Sequence, residues 1–507
     1  MNNSKDNKRI VKNTIFLYIK LIISTIIGLY VSKEVLHLLG EDNFGLYSVV
    51  GGLVALMNFF STVMSSTSYR FIAVEIGKGE SGNINKTFNT IIVIHFVLAL
   101  LILLLGFTIG VWYIDNYLNI APVKIPDAKF VLNTSIIIGM TNVLSVPFLG
   151  LLVAREKFLY NALVEIIYTV LKLLLIVFVL SQANDKLRTY ALLMLGIEII
   201  KVLFISVYCA IKDTQTIRWN FNNTYSDYKE IFAYSSWVML GASACIGQTQ
   251  GLAIIINRFF STVVNAAFGI AQQINGYILM FVRSITQAAV PQMIKSYSGG
   301  NTDRTISLLN RITKYSFFIM AIPSVPCIIC MPDILDLWLE SSPVFTSEFA
   351  RLMLVNGLVT CLGSGFDSTI QATGKIKIYQ IGFSLIYIMT LPISIILFSF
   401  GFSPYSIIVA NITLSIFQLL WQMRMLTNLT DFKISCYYKS TIKPVIKVSL
   451  LILPLFGLSY ISSSSLLTII SICIITTIYI LIAIYSLGLE HNEKKIIAEI
   501  FNKIIKK

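Results

Sequence analysis

Residues 88–113 read FNTIIVIHFVLALLILLLGFTIGVWY and contain no Asp, Glu, Lys or Arg. At 1.5 Å per residue a helix of that length rises about 39 Å, enough to cross the roughly 30 Å hydrocarbon core of a bilayer. A barrel strand would be about ten residues long and would alternate in polarity. This stretch does neither, so it reads as a membrane-spanning helix. Working outward from it, comparable apolar runs lie at 13–36, 45–69, 130–153, 159–180, 187–211, 231–257, 263–290, 313–332, 349–370, 378–401, 405–426, 445–461 and 466–487. The expectation is an all-α polytopic membrane protein with about fourteen transmembrane helices.

The composition agrees. Of 507 residues, 56% are hydrophobic and 13% charged, and the mean hydropathy is +0.78. Soluble domains carry about 25% charged residues, so a soluble enzyme and a disordered scaffold are both excluded. The net charge of +14 does not point to nucleic acid, because the Lys and Arg fall on one side of the membrane. With the N-terminus inside, the cytoplasmic connections and tails hold about 28 basic residues against about seven outside. Among them are Lys8, Arg9, Lys78, Arg155, Lys157, Arg304, Lys439 and Lys443, whereas one outer connection is acidic (Asp333, Asp336, Glu340, Glu348). Both termini are therefore expected in the cytoplasm. The first apolar run is too long for a signal-peptide core, so it is expected to remain in the protein.

An offset of 224 residues places Phe44-Gly45 on Phe268-Gly269, Gly52 on Gly276 and Thr62 on Thr286. A short loop follows each copy, Gly77-Lys78-Gly79 and Gly299-Gly300-Asn301. A repeat of six spans is the reading: an N-terminal six-helix lobe (1–212), a C-terminal six-helix lobe (228–427), a central cavity between them, and an additional helix pair (445–487). Over 490–507, Ile496, Ile497, Ile500, Phe501, Ile504 and Ile505 share one helix face and lysines crowd the other. That pattern predicts a cytoplasmic amphipathic basic helix lying on the anionic inner leaflet, so membrane lipids are expected partners.

Ionisable groups at membrane depth are costly and usually face a cavity. The candidates are Lys20, Arg70, Glu165, Lys172, Glu198, Lys201, Arg283 and Asp367. Glu198 and Lys201, three residues apart, can pair with each other. Arg283 shares its helix with Gln272, Gln273, Asn275 and Gln287, and Gln248 and Gln250 add amides from the preceding span. Gln248, Gln272 and Asn275 are the expected polar lining. The deep charges lean positive, which suits an anionic or phosphate-bearing substrate. No metal site or cofactor is expected: Cys327 and Cys330 have CxxC spacing but no second pair or His to complete a site. His37, His95 and His491 are scattered, so acid–base catalysis has no home and the chain is not read as an enzyme.

The basic start running into Asn13-Thr14, the Leu39-Gly40 and Phe44-Gly45-Leu46-Tyr47 turn, the long second span ending near Arg70 and the Gly77-Lys78-Gly79 loop resemble one family. So does the turn Ala154-Arg155-Glu156-Lys157-Phe158. The family is the Wzx-type O-antigen and polysaccharide flippases of the multidrug/oligosaccharidyl-lipid/polysaccharide exporter (MOP) superfamily. The resemblance implies alternating-access transfer of a polyprenyl-pyrophosphate-linked oligosaccharide to the outer leaflet of a bacterial cytoplasmic membrane. Polysaccharide polymerase or assembly proteins would act alongside. It also implies that Lys20, Arg70 and Arg283 hold the pyrophosphate. Lys172 and Lys201 join them on burial grounds, with Asp367 and Glu165 as candidate ion carriers. The alternatives are an H⁺- or Na⁺-coupled multidrug antiporter of the same superfamily and a membrane polysaccharide polymerase. The antiporter would place acids deep in the first lobe, where span 1 has only Lys20.

Overall fold

The computed structural model describes residues 2–116, 122–260, 262–339, 342–460, 466–491, 493 and 494. All regular structure among them is helical. The first helix, α1 (Asn2–Gly77), breaks at Gly40, where φ 74° and ψ 165° define a backbone region open essentially to glycine alone. Helix α2 (Ile84–Leu105) starts at Asn83, whose side chain accepts from the Lys86 amide, a cap worth about 1 kcal/mol. It continues through a wide turn at Gly106–Gly110 into α3 (Val111–Asn116). There follow α4 (Ile125–Ala154), α5 (Phe158–Phe178), α6 (Lys186–Lys212), the short α7 (Thr214–Ile217) and α8 (Tyr225–Phe259). Next come α9 (Thr262–Ser298), α10 (Thr302–Ile329), α11 (Met331–Leu339), α12 (Thr346–Cys361) and α13 (Phe366–Thr373). The chain continues as α14 (Lys377–Ser399), α15 (Ser406–Leu429), α16 (Ile434–Tyr437), α17 (Lys443–Ile452) and α18 (Leu466–Ala483).

Among the described residues, ten helical stretches are long and apolar enough to cross a membrane. An eleventh is added if α12 and α13, bent by 42° at their junction, make one span. The sequence leads to fourteen, and the difference lies in α1 and α9. Among the described residues of α1, the apolar helical stretch is Asn13–Gly28, and it is short. Helix α9 carries Arg283 and five Asn or Gln side chains along the expected span, which dilutes its hydropathy. The helix expected over 490–507 lies outside the described residues from 495 onward.

The chain divides into two compact units: residues up to Met239 with Ile294–Gly300, and Leu240–Met293 with the residues from Asn301 onward. In the first unit α4 is central. Val131, Leu132 and Ile136 of α4 are fully buried with Val50, Ile114 and Ala191. A Cβ on Gly106 would come within 2.7 Å of Ile136, and one on Gly110 within 3.0 Å of Leu132. Small residues here let helices approach closely. The turn after α4 puts Glu156 at φ 60°, a left-handed conformation unfavourable for a side-chain-bearing residue. Its buried carboxylate takes the Lys295 ammonium at 2.7 Å. In the second unit α10 is central, with 72% of its span buried. The additional pair belongs to this core: Val448 and Ile452 of α17 and Ile469, Ile480 and Ala483 of α18 pack with Phe318 and Met320.

Candidate functional site

Helix α9 presents Arg283 on an open face. At 100° per residue, Gly276, Gln287 and Gly269 fall within about 40° of it, and Met280 and Gln273 within about 80°. Arg283, Gln273, Gln287 and Met280 are exposed, and a Cβ on Gly269 or Gly276 would meet nothing within 4 Å. Arg283 has no hydrogen bond or ion pair among the described residues, and none joins it to Asp367. Gln272 lies within about 20° of Arg283 on the same face and is half-buried. Asn275 turns away toward α12, its Oδ1 3.0 Å from where a Cβ on Gly357 would stand.

The second unit also holds a polar pocket at the break between α12 and α13. Residues 362–365 leave the helical path there, and such breaks at membrane depth are tolerated where they line a cavity. Gly363 makes room for the Gln422 carboxamide, and Gly365 lies against the Leu309 backbone. A cavity of about 60 Å³ is lined by Thr360, Tyr387, Ser415, Gln418 and Gln422, among others, enough for ordered water. Gln418 is 7% exposed, and neither its Oε1 nor its Nε2 has a partner. Beside this pocket Asp367 sits in the first turn of α13, where a carboxylate is favoured by the helix dipole. It accepts from Gln371 Nε2 at 2.7 Å. The fully buried Tyr379 faces it and takes Gln422 Nε2 on its hydroxyl at 3.2 Å. Gln248 of α8 donates to Thr390 Oγ1 at 2.9 Å and to Asn411 Oδ1 at 3.4 Å, and Ser415 donates to Asn356 at 2.8 Å.

The remaining expected residues lie in the first unit. The Arg70 guanidinium is buried between the rings of Tyr234 (4.4 Å) and Phe71 (4.8 Å). Lys201 pairs with Glu198 at 2.5 Å and lies over the Tyr168 ring at 4.9 Å, so its charge is already matched. Glu165 and Lys172 are half-buried on α5, across the helix from its exposed Leu163, Ile167, Val170 and Leu174. Lys20 is half-buried on α1 with no ion partner among the described residues.

The structure thus groups Asp367 with residues absent from the expected site: Tyr379, Tyr387, Gln418 and Gln422. The signal was present, since Gln418 and Gln422 are four residues apart in one span and share a helix face. Gln248 belongs to a neighbouring network, and Arg283 stands on its own open face.

No family model matches the sequence, and no curated relative matches it. Solved structures do. One, titled an outward-facing conformation of a multidrug resistance MATE family transporter of the MOP superfamily, matches with TM-score 0.72 at 16% identity. The match covers 84% of this chain and 96% of that one. A MATE in the bent conformation matches with TM-score 0.72, 16% identity and the same coverage. A MOP superfamily transporter from Pyrococcus furiosus matches with TM-score 0.69 at 16% identity, over 83% of this chain and 96% of that one. Its title states that reverse polarity of the binding pocket suggests a different function. The chain has the fold of the MATE transporters of the MOP superfamily.

Proposed function

We propose that this chain is an ion-coupled exporter working by alternating access, and that it acts as a multidrug antiporter. The observation that carries the reading is Asp367, a carboxylate at a broken helix beside a cavity lined by hydroxyls and amides. An acid at membrane depth needs a function to offset its cost, and exchange of H⁺ or Na⁺ at that carboxylate is the chemistry the surroundings support. Glu165 is the second candidate carrier. The likeness to a structure titled as a multidrug resistance transporter supports this cargo.

A second reading has its own observation. Arg283 stands on an open face with amides and glycines and no counter-ion among the described residues, and Lys20 also has no ion partner there. Such a face suits an anionic amphiphile whose phosphate a guanidinium grips with two hydrogen bonds. The polyprenyl-pyrophosphate-linked oligosaccharide of surface-polysaccharide assembly has that chemistry. The association of reversed pocket polarity with a different function in the Pyrococcus protein supports giving this reading weight.

The test is cell-based. Cells depleted of this protein are assayed for cationic dye efflux and for lipid-linked oligosaccharide on each leaflet. Lost Na⁺- or H⁺-dependent efflux with unchanged lipid-linked glycan supports the antiporter. Intact efflux with build-up on the cytoplasmic leaflet overturns it in favour of the flippase.

A further inference from the structure

The connection between α6 and α8 is held more tightly than a tether needs. Asn85 Nδ2 of α2 shares its two hydrogens among the carbonyls of Gln215 (3.0 Å), Thr216 (3.0 Å) and Arg218 (2.7 Å). Asn89 Nδ2 adds a second bond to the Arg218 carbonyl at 3.1 Å. Asn222 Nδ2 reaches Thr90 Oγ1 at 2.9 Å and Asp227 at 2.7 Å, and Lys86 pairs with Asp227 at 2.7 Å. Asp213 is taken by Arg155 at 3.0 Å. Fixing a backbone costs conformational entropy at every residue, so a segment ordered at both ends calls for something that the order presents.

What it presents is an aromatic and basic edge. Trp219 is 62% exposed, Phe221 55% and Tyr225 77%, and the Trp219 and Phe221 rings lie 6.4 Å apart. Arg218, Lys212 and Lys229 are exposed beside them, with no ion partner among the described residues. Glu230 is the exposed acid nearby, whereas Asp213 and Asp227 are already paired. The segment connects α6 and α8, two helices each long and apolar enough to cross a membrane. Trp and Tyr favour the headgroup level, and each Lys or Arg near an anionic leaflet adds attraction.

We infer that residues 212–229 form a built binding edge for an anionic phospholipid of the inner leaflet. The Trp219 and Phe221 rings lie among the upper acyl chains, and Arg218, assisted by Lys212, holds the headgroup phosphate. This edge includes neither Arg283 nor Asp367, and it stands whichever cargo the protein carries.

The experiment uses the full chain in vesicles of phosphatidylcholine and phosphatidylglycerol, one or the other brominated on its acyl chains. The Trp219 contribution to fluorescence is the difference between the wild type and Trp219→Phe. Brominated phosphatidylglycerol is expected to quench that contribution at about a tenfold lower mole fraction than brominated phosphatidylcholine, and the preference is expected to shrink in high salt. Arg218→Gln should lower the preference about fivefold while Trp219 remains quenched by both lipids. Equal quenching in the wild type would overturn the inference, as would an undiminished preference in the Arg218→Gln, Lys212→Gln double variant. Soluble glycerophosphate should leave Trp219 emission unchanged; a matching response would make this a phosphate site and overturn the assignment to lipid.

Discussion

Lys314 and Arg283 are both cations set in long helices of the second unit, and their surroundings are opposite. Lys314 on α10 is 1% exposed. Its ammonium donates to both Glu493 oxygens at 2.9 and 2.8 Å, while the Tyr315 hydroxyl and the Glu490 amide donate to the same carboxylate at 2.7 and 2.8 Å. Arg283 on α9 is exposed, with two glycines and two glutamines around it. A charge consumed by its partners is architecture, and here it ties Glu490 and Glu493 to the core helix. A charge left open is available to something that arrives from outside.

Breaking the closed cation gives the largest expected effect. Lys314→Met strands a buried carboxylate and Glu493→Gln a buried ammonium, so each should cost about 3–5 kcal/mol. The Lys314→Met, Glu493→Leu double variant should regain most of that. Denaturant unfolding of the purified protein measures all three, and single variants as stable as the wild type would remove the pair from the ledger of what holds this end. The pair also sets a pH window. Burial pushes the Glu493 carboxyl up, but Lys314, the Glu490 amide and Tyr315 outweigh it and hold the group below its usual range. A lowered value in the fold means that the stabilisation is present above the unfolded carboxylate's value of about 4.3 and is lost as pH falls through the folded value. Stability of the wild type, but not of the double variant, should therefore drop below about pH 4.

Opening the comparison at Arg283 gives the next effect, in transport rather than stability. Arg283→Ala should leave the unfolding midpoint unchanged, because no partner among the described residues is stranded. If the cargo carries phosphate, lost charge-assisted hydrogen bonds should lower export by about 10- to 100-fold, with partial retention in Arg283→Lys. If the cargo is a cationic dye, the same variant should transport as well as the wild type or better. A destabilised Arg283→Ala would mean that Arg283 is architecture after all, and the contrast with Lys314 would fail.

The spans were legible because twenty apolar residues in a row have few readings, and α2 with α3 is the clearest case. The Lys201–Glu198 pair was legible too, since three residues on a helix bring two side chains together. The Arg283 face was half legible: helical spacing marked Arg283 and Gln272, but Asn275 turns toward α12, and only packing against Gly357 decides that. The pocket at Asp367 was not assembled from sequence. Its walls come from α12, α14 and α15, and no local pattern says that Gly363 will stand opposite Gln422 or that Tyr379 will face Asp367. The Lys314–Glu493 pair is 179 residues apart, beyond any periodicity.

Gln418 supplies the smallest effect and a reversed sign. Both its polar atoms are buried without partners, a state that costs about 1–3 kcal/mol when nothing relieves it. A ligand or ordered water in the 60 Å³ cavity would relieve it. Gln418→Leu keeps nearly the same volume and removes the orphaned groups, so stability should stay level or rise by about 1 kcal/mol. If the cavity serves Asp367 in ion exchange, the same variant should transport with a weakened dependence on the ion gradient, visible as a flattened response of uptake to imposed pH or Na⁺ steps. Asp367→Asn should abolish that response altogether. A Gln418→Leu protein that is more stable and still fully coupled would show that the polar pocket is only tolerated, and would move the weight of the transport reading to the open face at Arg283.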